Sequence, residues 1–82
     1  MEIALSLLDL RNEECPGPLV KTIRALTKAR KGDKFIVLIT SKECAEMLKQ
    51  AIEALGIAKI SVLNATNYYE IYLEKIVDSL EV

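Results

Sequence analysis

Cys15-Pro16-Gly17-Pro18 sets a thiol between a strand-like run and a helix-like run. Unpaired backbone N–H groups point out of a helix N-terminus, and the partial positive charge there favours thiolate over thiol. Thiolate is the form that performs sulfur exchange. With Cys15 as the N-cap, Pro16, Gly17 and Pro18 fill the first three helical positions. Pro18 has no N–H, so the Gly17 amide and later ones are left to face the sulfur. Two prolines also lower the entropy lost in fixing this loop. Glu13 and Glu14 directly precede the thiol. Carboxylates aimed at the sulfur oppose the thiolate, whereas carboxylates aimed at solvent are screened. Modest activation is the expectation.

Glu13, Glu14, Pro16 and Gly17 are poor core companions, so an exposed functional thiol explains Cys15 better than a buried one. Cys44 is the opposite case. It lies on the apolar stripe of a second helix, where packing accounts for it, and its functional alternative is a resolving thiol for Cys15. Lys21, Arg24, Lys28 and Lys31 recur at spacings of three and four. They form either a solvated face, as charge runs usually do, or a docking strip for an acidic partner beside the sulfur. Tyr68, Tyr69 and Tyr72 read as strand packing residues rather than a stacking platform. Asp9 reads as the cap of the turn before Cys15.

The 82 residues imply a single domain, residues 1–82, with a core over about 2–76. A chain this short buries about 60–65% of the surface its unfolded form exposes. It leaves no room for a deep enclosed pocket, so chemistry belongs near the surface, with a macromolecule supplying part of the site. Eleven basic and twelve acidic residues give a net charge of -1, which argues against a nucleic-acid binder. With no histidine, His-dependent metal sites and Cys–His or Ser–His dyads are excluded, and two cysteines cannot hold zinc alone. Ile3 to Leu8 is too short and lacks the basic lead-in of a secretory segment. A cytoplasmic setting with reduced thiols is expected, a Cys15–Cys44 disulfide being reserved for an oxidising or hyperthermophilic one.

The elements that position these residues follow from periodicity. Glu2 to Asp9 reads as a strand whose Ile3, Leu5 and Leu7 form its buried face. Asn12 lies in the polar link Leu10–Glu14 and suits a left-handed turn. The first helix runs from the tetrapeptide to about Arg30, with Leu19, Ile23 and Leu26 at helical spacing and Gly32 as its terminator. Phe35–Ile39 is apolar throughout, as befits a central strand covered on both faces. Helices cover one face, and a partner or second copy, as in a weak homodimer, would cover the other. Thr40-Ser41-Lys42-Glu43 has the capping-box pattern. The helix after it carries Cys44, Leu48, Ala51, Ile52 and Leu55 on one stripe and ends at Gly56. Ile57–Ala65 and Tyr68–Ile76 read as a closing hairpin around a turn at Asn64–Asn67, with Tyr69, Ile71 and Leu73 on one face. The last six residues are expected to fray. There is no repeat, low-complexity stretch or linker. The order βαβαββ predicts an α+β fold: a two-layer α/β sandwich with two helices packed on one face of a four-stranded mixed sheet.

Leu8-Asp9, Cys15-Pro16-Gly17-Pro18, an apolar helix, Gly32-Asp33 and an all-apolar strand together resemble the TusA/SirA-like family of small sulfur-carrier proteins. The likeness covers roughly residues 3 to 76. The family pattern is L-D-x-x-G-x-x-C-P-x-P, then G-D or G-E before the second strand. Asn12 stands where the family usually has glycine, and Ser41-Lys42 where an Asp-Pro pair is common. Glu13 and Glu14 replace neighbours that are often neutral or basic. The resemblance implies the same two-layer sandwich and a persulfide on Cys15, with Asp9, Asn12, Pro16, Gly17 and Pro18 as the supporting motif. The family cysteine takes sulfane sulfur from a donor such as a cysteine desulfurase or rhodanese-like protein and hands it to an acceptor protein. The pathways served include tRNA thiolation, molybdenum-cofactor sulfur delivery and sulfur oxidation.

The reading of function is therefore a sulfur carrier, sulfurtransferase-like, with Cys15 as the reacting residue. Lys21, Arg24 and Lys28 are candidates for partner contact. One cysteine is enough, because donor and acceptor each bring their own. No metal, nucleotide or organic cofactor is required, and neither nucleic acid nor membrane is expected as a partner. Two alternatives stand beside it: a non-enzymatic regulatory or adaptor module that binds through the basic face of helix one, and a thiol–disulfide switch using Cys15 and Cys44.

Overall fold

A computed structural model describes residues 5–78. The elements are β1 (Leu5–Asp9), α1 (Gly17–Lys28), β2 (Lys34–Ile39), α2 (Lys42–Leu55), β3 (Ala58–Asn64) and β4 (Tyr69–Lys75). The sheet order is β1-β2-β4-β3. β1 and β2 are parallel, whereas β4 is antiparallel to both β2 and β3. This is the expected four-stranded mixed sheet with two helices, and β2 is a central strand.

Alternation decides the two faces of the sheet. Phe35, Val37 and Ile39 of β2 and Ile71 and Leu73 of β4 are buried, and α1 and α2 add Leu26, Cys44, Leu48 and Ile52 to them. Tyr69, Ile71 and Leu73 share the helix side, as expected, and the same period carries Lys75 inward behind them.

The other face has no helix, as expected, and this corrects the reading of β1. Leu5 and Leu7 are 66% and 64% exposed, because β1 is an edge strand whose odd-numbered side chains point away from the helices; Leu8 is the one packed inward. Ile36 and Leu38 of β2 are half-buried, not covered. Ile3 lies outside the described residues, as do residues 79–82 of the tail expected to fray.

Element ends also differ from their sequence signals. Helix α1 stops at Lys28, before Arg30, and its C-cap Ala29 is extended. Gly32 has the expected positive φ of +95°, but as the third residue of a turn closed by Asp33 N–H donating to Arg30 O at 3.0 Å. That is the position where a type II turn requires glycine. The cap of α2 is Ser41, one residue beyond Thr40, and its Oγ accepts from Cys44 N–H at 3.1 Å. Gly56 ends α2 in the left-handed conformation at φ +67°, as expected. Leu55, expected on the buried stripe, is 54% exposed.

Candidate functional site

Parallel pairing of β1 and β2 brings their C-terminal ends side by side, with Asp9 opposite Leu38. The loops that leave them are tied together. Leu10 N–H donates to Leu38 O at 2.9 Å and Thr40 Oγ1 donates to Arg11 O at 3.3 Å. Cys15, at the end of the first loop, and Cys44, in the first turn of α2, thereby lie at the same end of the sandwich.

The first loop is shaped by Asp9 and Arg11. Asp9 Oδ1 accepts from Arg11 N–H at 3.3 Å, and the two side chains pair at 2.8 Å through both carboxylate oxygens. These bonds hold the Asp9 carboxyl below its ordinary range. The Arg11 guanidinium lies 5.0 Å from the Tyr68 ring centroid. Arg11 and Asn12 are the central pair of a turn closed by Glu13 N–H donating to Leu10 O at 3.2 Å. Asn12 is not left-handed there, since among the described residues only glycines have a positive φ. A turn of type I satisfies the same hydrogen bond with both central φ values negative, so glycine is not needed.

The mouth of α1 also differs from expectation. The N-cap is Pro16, so Cys15 stands one residue outside the helix and Pro18 falls within its first turn. The Cys15–Pro16 peptide is cis. Gly17 N–H donates to Glu14 O at 2.8 Å, which leaves the next free amide at Leu19. Pro18 is buried and Pro16 exposed, so the motif straddles the core boundary. Cys15 is half-buried, packed against the core and still open to solvent, less exposed than its neighbours suggested.

Glu13 does not aim its charge at solvent alone. Its Oε2 accepts from Lys21 Nζ at 2.7 Å, and its Oε1 would lie 3.2 Å from a Cβ at position 17. A Cβ at position 17 would push this carboxylate aside by a few tenths of an ångström, so glycine leaves the Glu13–Lys21 pair close over the helix mouth. Lys21 is thus engaged, while Arg24 and Lys28 are exposed with no acidic partner within 4.0 Å among the described residues. Tyr68 and Tyr72 both donate to Glu70, at 3.3 and 2.7 Å, and Tyr69 packs on the core, so the three tyrosines do not form a stacking platform.

Cys44 is fully buried. Burial pushes its thiol up to about 11, reinforced by a hydrogen bond to Cys15 and by the charge on that sulfur, and opposed by the Leu19 amide. A thiol raised in the folded state contributes stability below the ordinary thiol value near ~8.5, lost as pH climbs through about 11. Stability in urea is therefore expected to fall more steeply between pH 9 and 11 in the wild type than in Cys44→Ala. Parallel profiles would contradict this.

A pocket of about 330 Å³ lies on the helix-free face among Leu5, Lys34, Ile36, Ser61 and Tyr72, far from both thiols in the fold. No helix among the described residues is long and apolar enough to cross a membrane.

The "Putative sulfur carrier protein" of Archaeoglobus fulgidus is 26% identical over 70 residues, covering 85% of this chain and 96% of that protein. A protein of the same description from Methanocaldococcus jannaschii is 28% identical over 75 residues, covering 92% and 100%. The crystal structure of a SirA-like protein from Desulfitobacterium hafniense superposes with a TM-score of 0.74 over 84% of this chain and 95% of that one, at 20% identity, which supports the fold. Residues 6–75 match the family described as sulfurtransferase TusA, and the chain belongs to that family.

Proposed function

We propose that the protein carries sulfane sulfur as a persulfide on Cys15. The supporting observation is the place of this thiol: solvent-reachable, one residue outside the mouth of α1, on an irregular loop that another protein's cysteine can approach. The thiolate of Cys15 attacks the outer sulfur of a donor persulfide, and the donor leaves as its thiolate. An acceptor thiolate then attacks the outer sulfur of Cys15-S-SH and regenerates Cys15. Both steps exchange one S–S bond for another, so no oxidant or cofactor enters. A cysteine desulfurase or rhodanese-like protein suits the donor role. Arg24 and Lys28, exposed on α1, suit an acidic partner surface; Lys21 reaches a partner only by exchanging Glu13.

The test is direct. The reduced protein, incubated with inorganic polysulfide and desalted, is expected to gain the mass of one sulfur atom, mapped by peptide analysis to Cys15. A protein that gains nothing, or gains sulfur elsewhere, would refute the reading. An adaptor role predicts instead that partner capture survives Cys15→Ala and fails when Arg24 is reversed in charge.

A further inference from the structure

The helix-free face of the sheet plays no part in that mechanism, yet it is apolar across its width. Alternation along the paired strands puts Leu5 and Leu7 of β1, Ile36 and Leu38 of β2, Tyr72 of β4 and Leu63 of β3 on it. Leu5, Leu7, Leu63 and Tyr72 are exposed. The groove of about 330 Å³ opens between Leu5, Ile36 and Tyr72. A contiguous apolar patch rimmed by charge marks an interaction surface.

The register orders the charges on this face. Lys34 and Glu74 are cross-strand partners in one row of the sheet, Ile36 and Tyr72 in the next, Leu38 and Glu70 in the third. Neither Lys34 nor Glu74 has an oppositely charged group within 4.0 Å among the described residues. β2 and β4 are the two inner strands of the order β1-β2-β4-β3. A two-fold axis parallel to them, lying in the contact plane, therefore lays β2 of one copy over β4 of the other, row for row. Lys34 of each copy then faces Glu74 of the other, and Ile36 of each faces Tyr72. Turning the axis across the strands would instead set Glu70 against Glu74, like charge on like. In the first arrangement Glu70 brings no unsatisfied carboxylate, because the hydroxyls of Tyr68 and Tyr72 already donate to it. Face-to-face packing with strands nearly aligned is a common way for two sheets to bury such faces.

We infer that two copies of this chain associate through the helix-free face, in a two-fold dimer fixed by reciprocal Lys34–Glu74 pairs. Strands about 4.8 Å apart and about 3.3 Å per residue give a footprint of roughly 400 Å². That is about half of the ~800 Å² per partner of a standard interface, so the dimer is weak and depends on concentration. The helices lie on the outside, and an axis along the strands leaves both Cys15 thiols open at the same end of the dimer.

The experiment is sedimentation equilibrium of the full chain from about 10 μM to about 1 mM. The mass is expected to rise from that of the 9.2 kDa monomer toward twice that value. Lys34→Glu and Glu74→Lys should each weaken association about tenfold or more, and the double change should recover it to within about threefold of wild type, because only the single variants set like charges together. Leu7→Lys, at an exposed edge position, should weaken it without touching the charged pairs. Circular dichroism melts report that each variant is folded. A wild type that stays monomeric at the highest concentration would overturn the inference, as would a double variant no better than either single one. So would native mass spectrometry showing a monomer that carries a small apolar molecule in place of a second copy. Polysulfide loading at Cys15 is a separate readout: a chain that dimerises but does not load supports the dimer and refutes the carrier.

Discussion

Serine at position 15 is expected to leave a folded protein that carries no sulfur at all. The side chain keeps nearly the same size, and Cys15 is only half-buried, so the stability change should stay within about 1 kcal/mol. The chemical change is absolute. A hydroxyl cannot take sulfane sulfur into an S–S bond, and no second thiol is placed to replace it, because Cys44 is fully enclosed. Loading from polysulfide, read by intact mass, should fall to the level of a protein without cysteine. Transfer to a thiol acceptor should fall with it. Retention of Cys44 makes the variant informative: equal loading of Cys15→Ser and wild type would mean that the buried cysteine is the carrier and that the mouth of α1 has another purpose.

How far this site could be read without coordinates depended on which physical signals are local. The α2 start, its Gly56 stop, the β3–β4 hairpin and the inward face of β4 all follow from short-range rules, and the structure agrees to within a residue. Cap positions slipped by one where two candidates were adjacent, Thr40 against Ser41 and Cys15 against Pro16, because the choice depends on backbone angles that composition does not fix. The face of β1 was misread because both sides of that strand are apolar; only its place at the sheet edge, away from the helices, tells Leu8 from Leu7.

The placing of Cys15 and Cys44 at one end of the fold, which the sequence reading considered only as an alternative pair, has a topological cause. They are far apart in sequence, yet each lies near the start of the helix that follows one of two strands, and parallel pairing of those strands brings such positions to one end. The signal was present in the order βαβ. The loop-to-loop hydrogen bonds, Leu10 to Leu38 and Thr40 to Arg11, are what the sequence did not show. The same geometry explains why Glu13 matters less to the thiol than its neighbouring position suggested, since Lys21 holds its carboxylate over Gly17.

Lys75→Met is expected to be the most destabilising single change outside the apolar core. Lys75 is fully buried, the fourth inward position of β4 after Tyr69, Ile71 and Leu73. Its ammonium donates to the carbonyls of Leu26 and Ala29, the latter at 3.2 Å, where α1 ends. Those carbonyls carry the negative end of the helix, so a cation there is favourable twice, as donor and as charge. The Lys75 backbone fastens the same corner: Gly32 N–H donates to its carbonyl at 2.8 Å and its own N–H donates to Asp33 O at 2.9 Å. Replacing a buried ion pair by apolar groups often leaves stability unchanged, because both charges lose their desolvation penalty together. Methionine at position 75 removes only the donor: Ala29 O is left facing apolar surroundings, while Leu26 O keeps the Ala29 N–H at 3.1 Å. The cost should be about 1–3 kcal/mol, or a fall in Tm of roughly 5–20 °C for a domain of this size. Hydrogen exchange should accelerate first at the C-terminal amides of α1. A Lys75→Met protein as stable as wild type, with those amides still protected, would show that the buried ammonium contributes nothing net and that core packing alone holds α1 to the sheet.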